Sequence, residues 1–114
     1  MPQVTMCPKF GAAFALLGKR WTGLILRAIL LGQHRFSDIA QMIPLLNDRM
    51  LSERLKELEA VGIVKRTVYP EVPVRVEYDL TDKGRDLGPV MDGIQQWANK
   101  WYPDLTEKNP DPIV

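Results

Sequence analysis

Apolar residues recur along the chain with two different periods, and the switch between them divides it into elements. From Phe10 to Leu17 the run is nearly continuous and predicts a short helix stopped at Gly18, with Pro8 suited to its first turn. Trp21, Leu24, Ile25, Ala28 and Ile29 follow helical spacing and predict a second helix from about Lys19 to Leu31, with Gly32 as its C-terminal cap. Phe36 opens a third, short helix through Ile39, Ala40 and Ile43. Ser37 and Asp38 suit its start, and Pro44 ends it. Asn47 caps a fourth helix, over about 47–61, in which Leu51, Leu55 and Leu58 mark one face. Asp48 sits at its positive dipole end, and Gly62 closes it.

The period then falls to two. Residues 63–69 are rich in β-formers, residues 74–80 alternate apolar and polar, and Pro70-Glu71-Val72-Pro73 lies between them as a turn. This is a hairpin over about 63–80. Thr81 caps a last long helix with apolar positions Leu87, Val90, Met91, Ile94, Trp97, Ala98 and Trp101. Pro89 should kink it or split it after about Gly88, and Pro103 ends it. Residues 104–114, with three acidic residues and two prolines, read as a frayed tail after a single domain over 1–103.

The third and fourth helices, joined by Pro44-Leu45-Leu46, have helix-turn-helix proportions, and a hairpin straight after them is a wing. The predicted class is therefore α+β: a winged helix-turn-helix with a two-stranded wing, flanked by N- and C-terminal helices. The second helix of such a pair enters the major groove. At ~100° per residue, Arg49, Glu53 and Lys56 fall opposite the leucine face, with Met50 and Ser52 beside them. Arg49 can pair with guanine, Glu53 can accept from a cytosine amino group, and Met50 can touch a thymine methyl. Lys56 would serve phosphate, and Glu53 can also pair with Lys56 at i, i+3. Arg35, Lys65, Arg66 and Arg75 lie in the loop and wing, where backbone contact is expected, and Ser37 and Asn47 stand at the helix starts beside them.

Charge and composition narrow the partners. The 114 residues carry a net charge of only +1. Residues 1–75, however, hold eleven Lys/Arg against six Asp/Glu, and residues 76–114 hold four against eight. An anionic partner would meet the basic front. No stretch reaches the ~18 apolar residues of a membrane span, and the N-terminus lacks the regions of a signal peptide. The single cysteine, Cys7, cannot form an internal disulfide, which favours a reduced, cytoplasmic setting. His34 has no His/Cys cluster around it, so no metal or other cofactor is expected.

Several motifs in order resemble the HxlR family of bacterial winged-helix regulators, related to the MarR group. They are Cys7-Pro8, Gly18-Lys19-Arg20-Trp21-Thr22, Arg35-Phe36-Ser37-Asp38-Ile39, the run Asp48 to Leu58, Val68-Tyr69-Pro70 and Glu77-Tyr78-Asp79-Leu80-Thr81. The resemblance spans roughly Cys7 to Trp101. It implies a homodimer on double-stranded, pseudo-palindromic operator DNA, with the terminal helices as dimer interface. On that reading Phe10, Phe14, Leu87, Val90, Met91, Ile94, Trp97 and Trp101 would form the interface. The surplus of apolar positions in so small a chain points the same way. The resemblance also implies a sensor at the Cys-Pro site for oxidants or electrophiles. With no second cysteine, Cys7 is left with a bridge to its own copy, a mixed disulfide with a small thiol, or alkylation. The helix start would favour its thiolate, with Lys9 close by; otherwise Cys7 is a half-buried packing residue.

Two other classes compete. One is a winged-helix protein-interaction module without DNA; the other is a thiol enzyme centred on Cys7. The enzyme needs a base held by a third group, and the chain offers neither a phosphate loop nor paired carboxylates, so no catalytic residue is assigned.

Overall fold

The computed structural model describes residues 4–108. Its elements run α1 (Pro8–Leu17), α2 (Thr22–Leu30), α3 (Phe36–Met42), α4 (Asp48–Ala60), β1 (Val64–Tyr69), β2 (Arg75–Leu80), α5 (Asp82–Arg85) and α6 (Gly88–Trp101). This is the predicted winged helix-turn-helix. The core is built by Ile25, Leu26 and Ile29 of α2, Ile39 of α3, Leu51, Leu55 and Leu58 of α4, and Ile63 and Val64 at the start of the wing. The leucine stripe of α4 thus faces inward, as its spacing requires. Strands β1 and β2 pair antiparallel from Val64 opposite Leu80 to Tyr69 opposite Arg75. The loop before α3 joins them, because Tyr78 donates its backbone N–H to the carbonyl of His34 at 2.7 Å.

Two boundaries differ from the sequence reading. The second helix starts at Thr22 and not at Lys19, because Gly18–Trp21 forms a turn in which Trp21 takes φ +78°. Thr22 N–H closes that turn on the Lys19 carbonyl at 3.2 Å. Trp21 still packs against the core, so its place in the apolar pattern reflects packing and not helical backbone. The last helix is split, as Pro89 demands, but the break falls at Asp86–Leu87, where Pro89 can sit in the first turn of α6.

The end of α4, the wing and α5 meet at one crowded point. Thr81 caps α5 by accepting from Gly84 N–H, and its one hydroxyl proton is shared between the carbonyls of Gly62, the nearer, and Ile63. Gly84 itself is buried against the Ile63 carbonyl. Beyond α6, Leu105 N–H returns to the Tyr102 carbonyl at 3.2 Å; residues 109–114 of the expected tail lie outside the described residues. No described helix is long and apolar enough to cross a membrane.

Candidate nucleic-acid interface

The reading helix starts where the sequence places it. Asn47 Oδ1 accepts from Met50 N–H at 2.8 Å, which satisfies one of the free donors of the first turn of α4. Arg49 then projects from that turn with its side chain 90% exposed. Its partner is Glu53, at 3.5 Å across i, i+4. The expected Glu53–Lys56 pair is therefore replaced by Arg49–Glu53, and Lys56 stays exposed at the surface. An exposed pair of this kind contributes little, so Arg49 can leave Glu53 for a base edge at small cost.

Met50 differs from its expected role. It is half-buried and packs against the core, so it braces the start of α4 and does not project beside Arg49. The wheel sets it on the flank between the leucine stripe and the outer face, and at the first turn of α4 packing against the core draws it inward. Ser52 is half-buried, and with Lys56 it lines a cleft shared with Arg66 and Tyr78 of the wing. The structure thus brings α4 and the wing onto one surface. Arg66 of β1 is exposed there, and Lys65, the neighbouring strand position, is exposed on the other face of the wing. Arg35 precedes α3 and lines a second cleft against the wing turn, while Ser37 is exposed in the first turn of α3.

Arg75 is the main correction to the predicted contact set. Its Nε donates to Glu71 Oε2 at 2.8 Å and its Nη1 to Glu77 Oε2 at 2.7 Å. Its guanidinium also lies 3.8 Å from the centre of the Tyr69 ring. The hairpin register sets Arg75 opposite Tyr69, so its charge is engaged inside the wing by Glu71 and Glu77. The hydrogen bond to Glu71 raises the Arg75 pKa above its ordinary value, and the same bond lowers that of Glu71. His34 is likewise a structural group, with Nδ1 2.9 Å from Asp79 Oδ1 and 3.2 Å from the Tyr78 carbonyl oxygen.

The terminal helices leave apolar side chains uncovered. Phe10, Phe14, Val90, Ile94, Trp97 and Trp101 are each 45–61% exposed. An apolar groove of about 760 Å³ runs between α1, α2 and α6, with Phe10, Phe14, Val90 and Ile94 among its walls. Met91 and Leu87 also reach it, but Met91 is buried and Leu87 half-buried within the single chain, so they form its floor. Cys7 stands at the N-cap of α1 and is exposed within the single chain. Its thiol pKa is lowered by the backbone N–H of Phe10 first and of Lys9 second. Lys9 therefore helps through its backbone, as the helix-terminus argument requires.

Sequence reasoning missed one polar cluster on the reading helix. Arg54 and Glu57 flank the leucine stripe and point toward the α1–α2 turn. Arg54 Nε donates to the Arg20 carbonyl at 2.9 Å, and Arg54 Nη1 meets Glu57 at 3.1 and 3.3 Å. The i, i+3 spacing beside the apolar stripe was the available signal.

The family model for HxlR-like helix-turn-helix proteins matches residues 16–106. The HTH-type transcriptional regulator YvaP of Bacillus subtilis is 54% identical over 101 residues, which cover 89% of this chain and 94% of YvaP. The reduced form of the B. subtilis transcriptional regulator YodB superposes with a TM-score of 0.74 at 51% identity, over 84% of this chain and 94% of that one. Its diamide-treated form gives a TM-score of 0.71 at 50% identity, covering 85% of this chain and 96% of that one. Its quinone-bound form gives 0.71 at 47%, covering 83% and 99%. By sequence, fold and the placement of its reading helix and wing, this chain belongs to the HxlR-like helix-turn-helix family of transcriptional regulators.

Proposed function

We propose that this regulator is a homodimer that places one α4 in each half of an inverted-repeat operator. The observation that carries the reading is the shared surface of α4 and the wing. Arg49, Glu53 and Lys56 are exposed on α4, Arg66 shares a cleft with Lys56, and Lys65 is exposed next to Arg66 on β1. Arg49 and Glu53 address base edges, with Ser52 at the margin. Lys56, Lys65, Arg66 and Arg35 meet phosphate, and Ser37 and Asn47 approach the backbone from the helix starts. The uncovered aromatic groove between α1, α2 and α6 takes the second copy, since stable monomers rarely leave a patch of that apolar character in water. The protein-interaction alternative leaves the basic face without a role, and the family membership does not favour it.

The exposed, thiolate-favouring Cys7 at the start of α1 supports control by thiol modification: a Cys7–Cys7 bridge, a mixed disulfide or alkylation by an electrophile. The likeness to a regulator solved in diamide-treated and quinone-bound forms supports the same reading. Modification at α1 acts on the interface and not on DNA, and a small rotation of one subunit costs one half-site. Selection of bound sequences from a random DNA pool tests the core of this reading. An enriched inverted repeat is the expected result; a featureless pool refutes it.

A further inference from the structure

Helix α1 has no buried residue, and its packing on the core comes only from Leu16 and Leu17 at its C-terminal end. A ten-residue helix held so lightly does not set its own direction. The polypeptide joins it to α2 through Gly18–Trp21, and that turn is gripped from one side by the reading helix. Arg54, its side chain only 15% exposed, donates Nε to the Arg20 carbonyl at 2.9 Å and Nη1 to Glu57. Glu57 in turn meets Lys19 Nζ at 3.2 Å. The Arg20 guanidinium stacks over Trp21 at 4.6 Å, and Trp21 holds its left-handed backbone there. Backbone strain of this kind persists only where its surroundings hold it. The Lys19–Glu57 pair is open to water and weak. Arg54 is partly desolvated and spans two acceptors with one planar group, which a point charge cannot do.

We propose that Arg54 and Glu57 are positioning residues. They clamp the α1–α2 turn to one flank of the reading helix, set the direction of α1 relative to α4, and thereby set the separation of the two reading helices in the dimer. The outer face of α4 reads DNA, and one flank of the same helix ties that reading head to the helix that follows Cys7 and forms one wall of the groove. The spacing part rests on the dimeric-operator reading above; the clamp itself does not.

Two measurements separate them. In a Cys7→Ser background, spin labels at Ala15→Cys on α1 and Ala60→Cys at the end of α4 report the distance within one subunit, with labelled protein diluted into unlabelled protein. The parent should give one narrow distribution. Arg54→Met keeps the length of the side chain but removes its donors, and should widen the distribution roughly twofold while helical content is retained. Glu57→Gln, which frees Lys19 but leaves the Arg20 bond, should widen it less and serves if Arg54→Met does not fold. Equal widths in parent and both variants overturn the clamp. A residue that merely stabilised the fold would lower the melting temperature and leave the distance unmoved.

The second measurement uses synthetic duplexes that carry the selected half-site as inverted repeats with varied spacing. One added base pair shifts the half-sites by ~3.4 Å along the axis and rotates them as well. The parent should lose ~10-fold or more in affinity for such a change, and Arg54→Met less than about 3-fold, with single half-site affinity unaltered. A variant as selective as the parent overturns the spacing role. A parent without spacing preference overturns the dimeric-operator reading instead, and the distance measurement still decides the clamp.

Discussion

Replacing Gly84 by alanine tests how tightly the end of the wing, the end of α4 and the start of α5 are locked. A Cβ at this position would lie 2.3 Å from the Ile63 carbonyl oxygen, 3.0 Å from Leu80 Cδ2 and 3.3 Å from the Ile63 carbonyl carbon. The nearest atom is backbone, so no side-chain rotation relieves the clash. Reaching an ordinary 3.4 Å contact requires a backbone shift of about 1 Å. That same oxygen accepts from Thr81 N–H at 3.0 Å and from Thr81 Oγ1 at 3.2 Å, and both bonds would be lost or stretched. Two hydrogen bonds at about 1 kcal/mol each and overpacking of about 1–3 kcal/mol oppose a helix-propensity gain of at most about 1 kcal/mol. The balance is a destabilisation of about 2–4 kcal/mol, or a fall in melting temperature of roughly 10–20 °C. Circular dichroism melts at one fixed protein concentration measure it, because a dimer melts in a concentration-dependent way. Gly93→Ala in α6, where nothing lies within 4 Å, is the control and should gain about 0.5–1 kcal/mol. If Gly84→Ala melted within about 2 °C of the parent, the close approach of α5 to Ile63 would be wrong.

Other expectations follow from the same geometry. Arg49→Ala should cost about 1–3 kcal/mol on the selected operator and relax preference at one position per half-site; equal losses on random duplex would reassign Arg49 to phosphate. Arg66→Ala should weaken all sequences and flatten the salt dependence, whereas Arg75→Met should leave the salt slope in place, because Glu71 and Glu77 already neutralise that charge. Cys7 has a depressed pKa when folded, so its thiolate fraction rises at lower pH than in the unfolded chain. Its alkylation rate by iodoacetamide should therefore inflect at lower pH in native than in denatured protein, and coincident profiles would remove the helix-terminus argument. Sedimentation should give about 26 kDa, twice the 13.0 kDa of one chain; a monomer at micromolar concentration would leave the exposed aromatic groove without its second copy.

Much of this molecule is written in local pattern. The period of Leu51, Leu55 and Leu58, the Asn47 and Thr81 caps and the alternation of the wing depend on neighbours within a few residues, and the backbone follows them. The order of those elements was enough to place α4 in front of a wing and so to name Arg49, Glu53, Lys56, Lys65 and Arg66 as surface chemistry. What the pattern could not carry were the choices made between distant residues. Trp21 counts as one more apolar helical position until Arg20, Lys19 and Thr22 hold it in a left-handed turn. Met50 reads as a neighbour of Arg49 until the core draws it inward. Arg75 reads as a free cation until the hairpin register lays it on Tyr69 between Glu71 and Glu77. Arg54 and the carbonyl of Arg20 are 34 positions apart and meet only because α2 and α4 share a core. Charge and hydrogen-bonding capacity belong to a residue, but whether they are spent inside the chain or left for DNA depends on which surfaces folding brings within about 3 Å of each other.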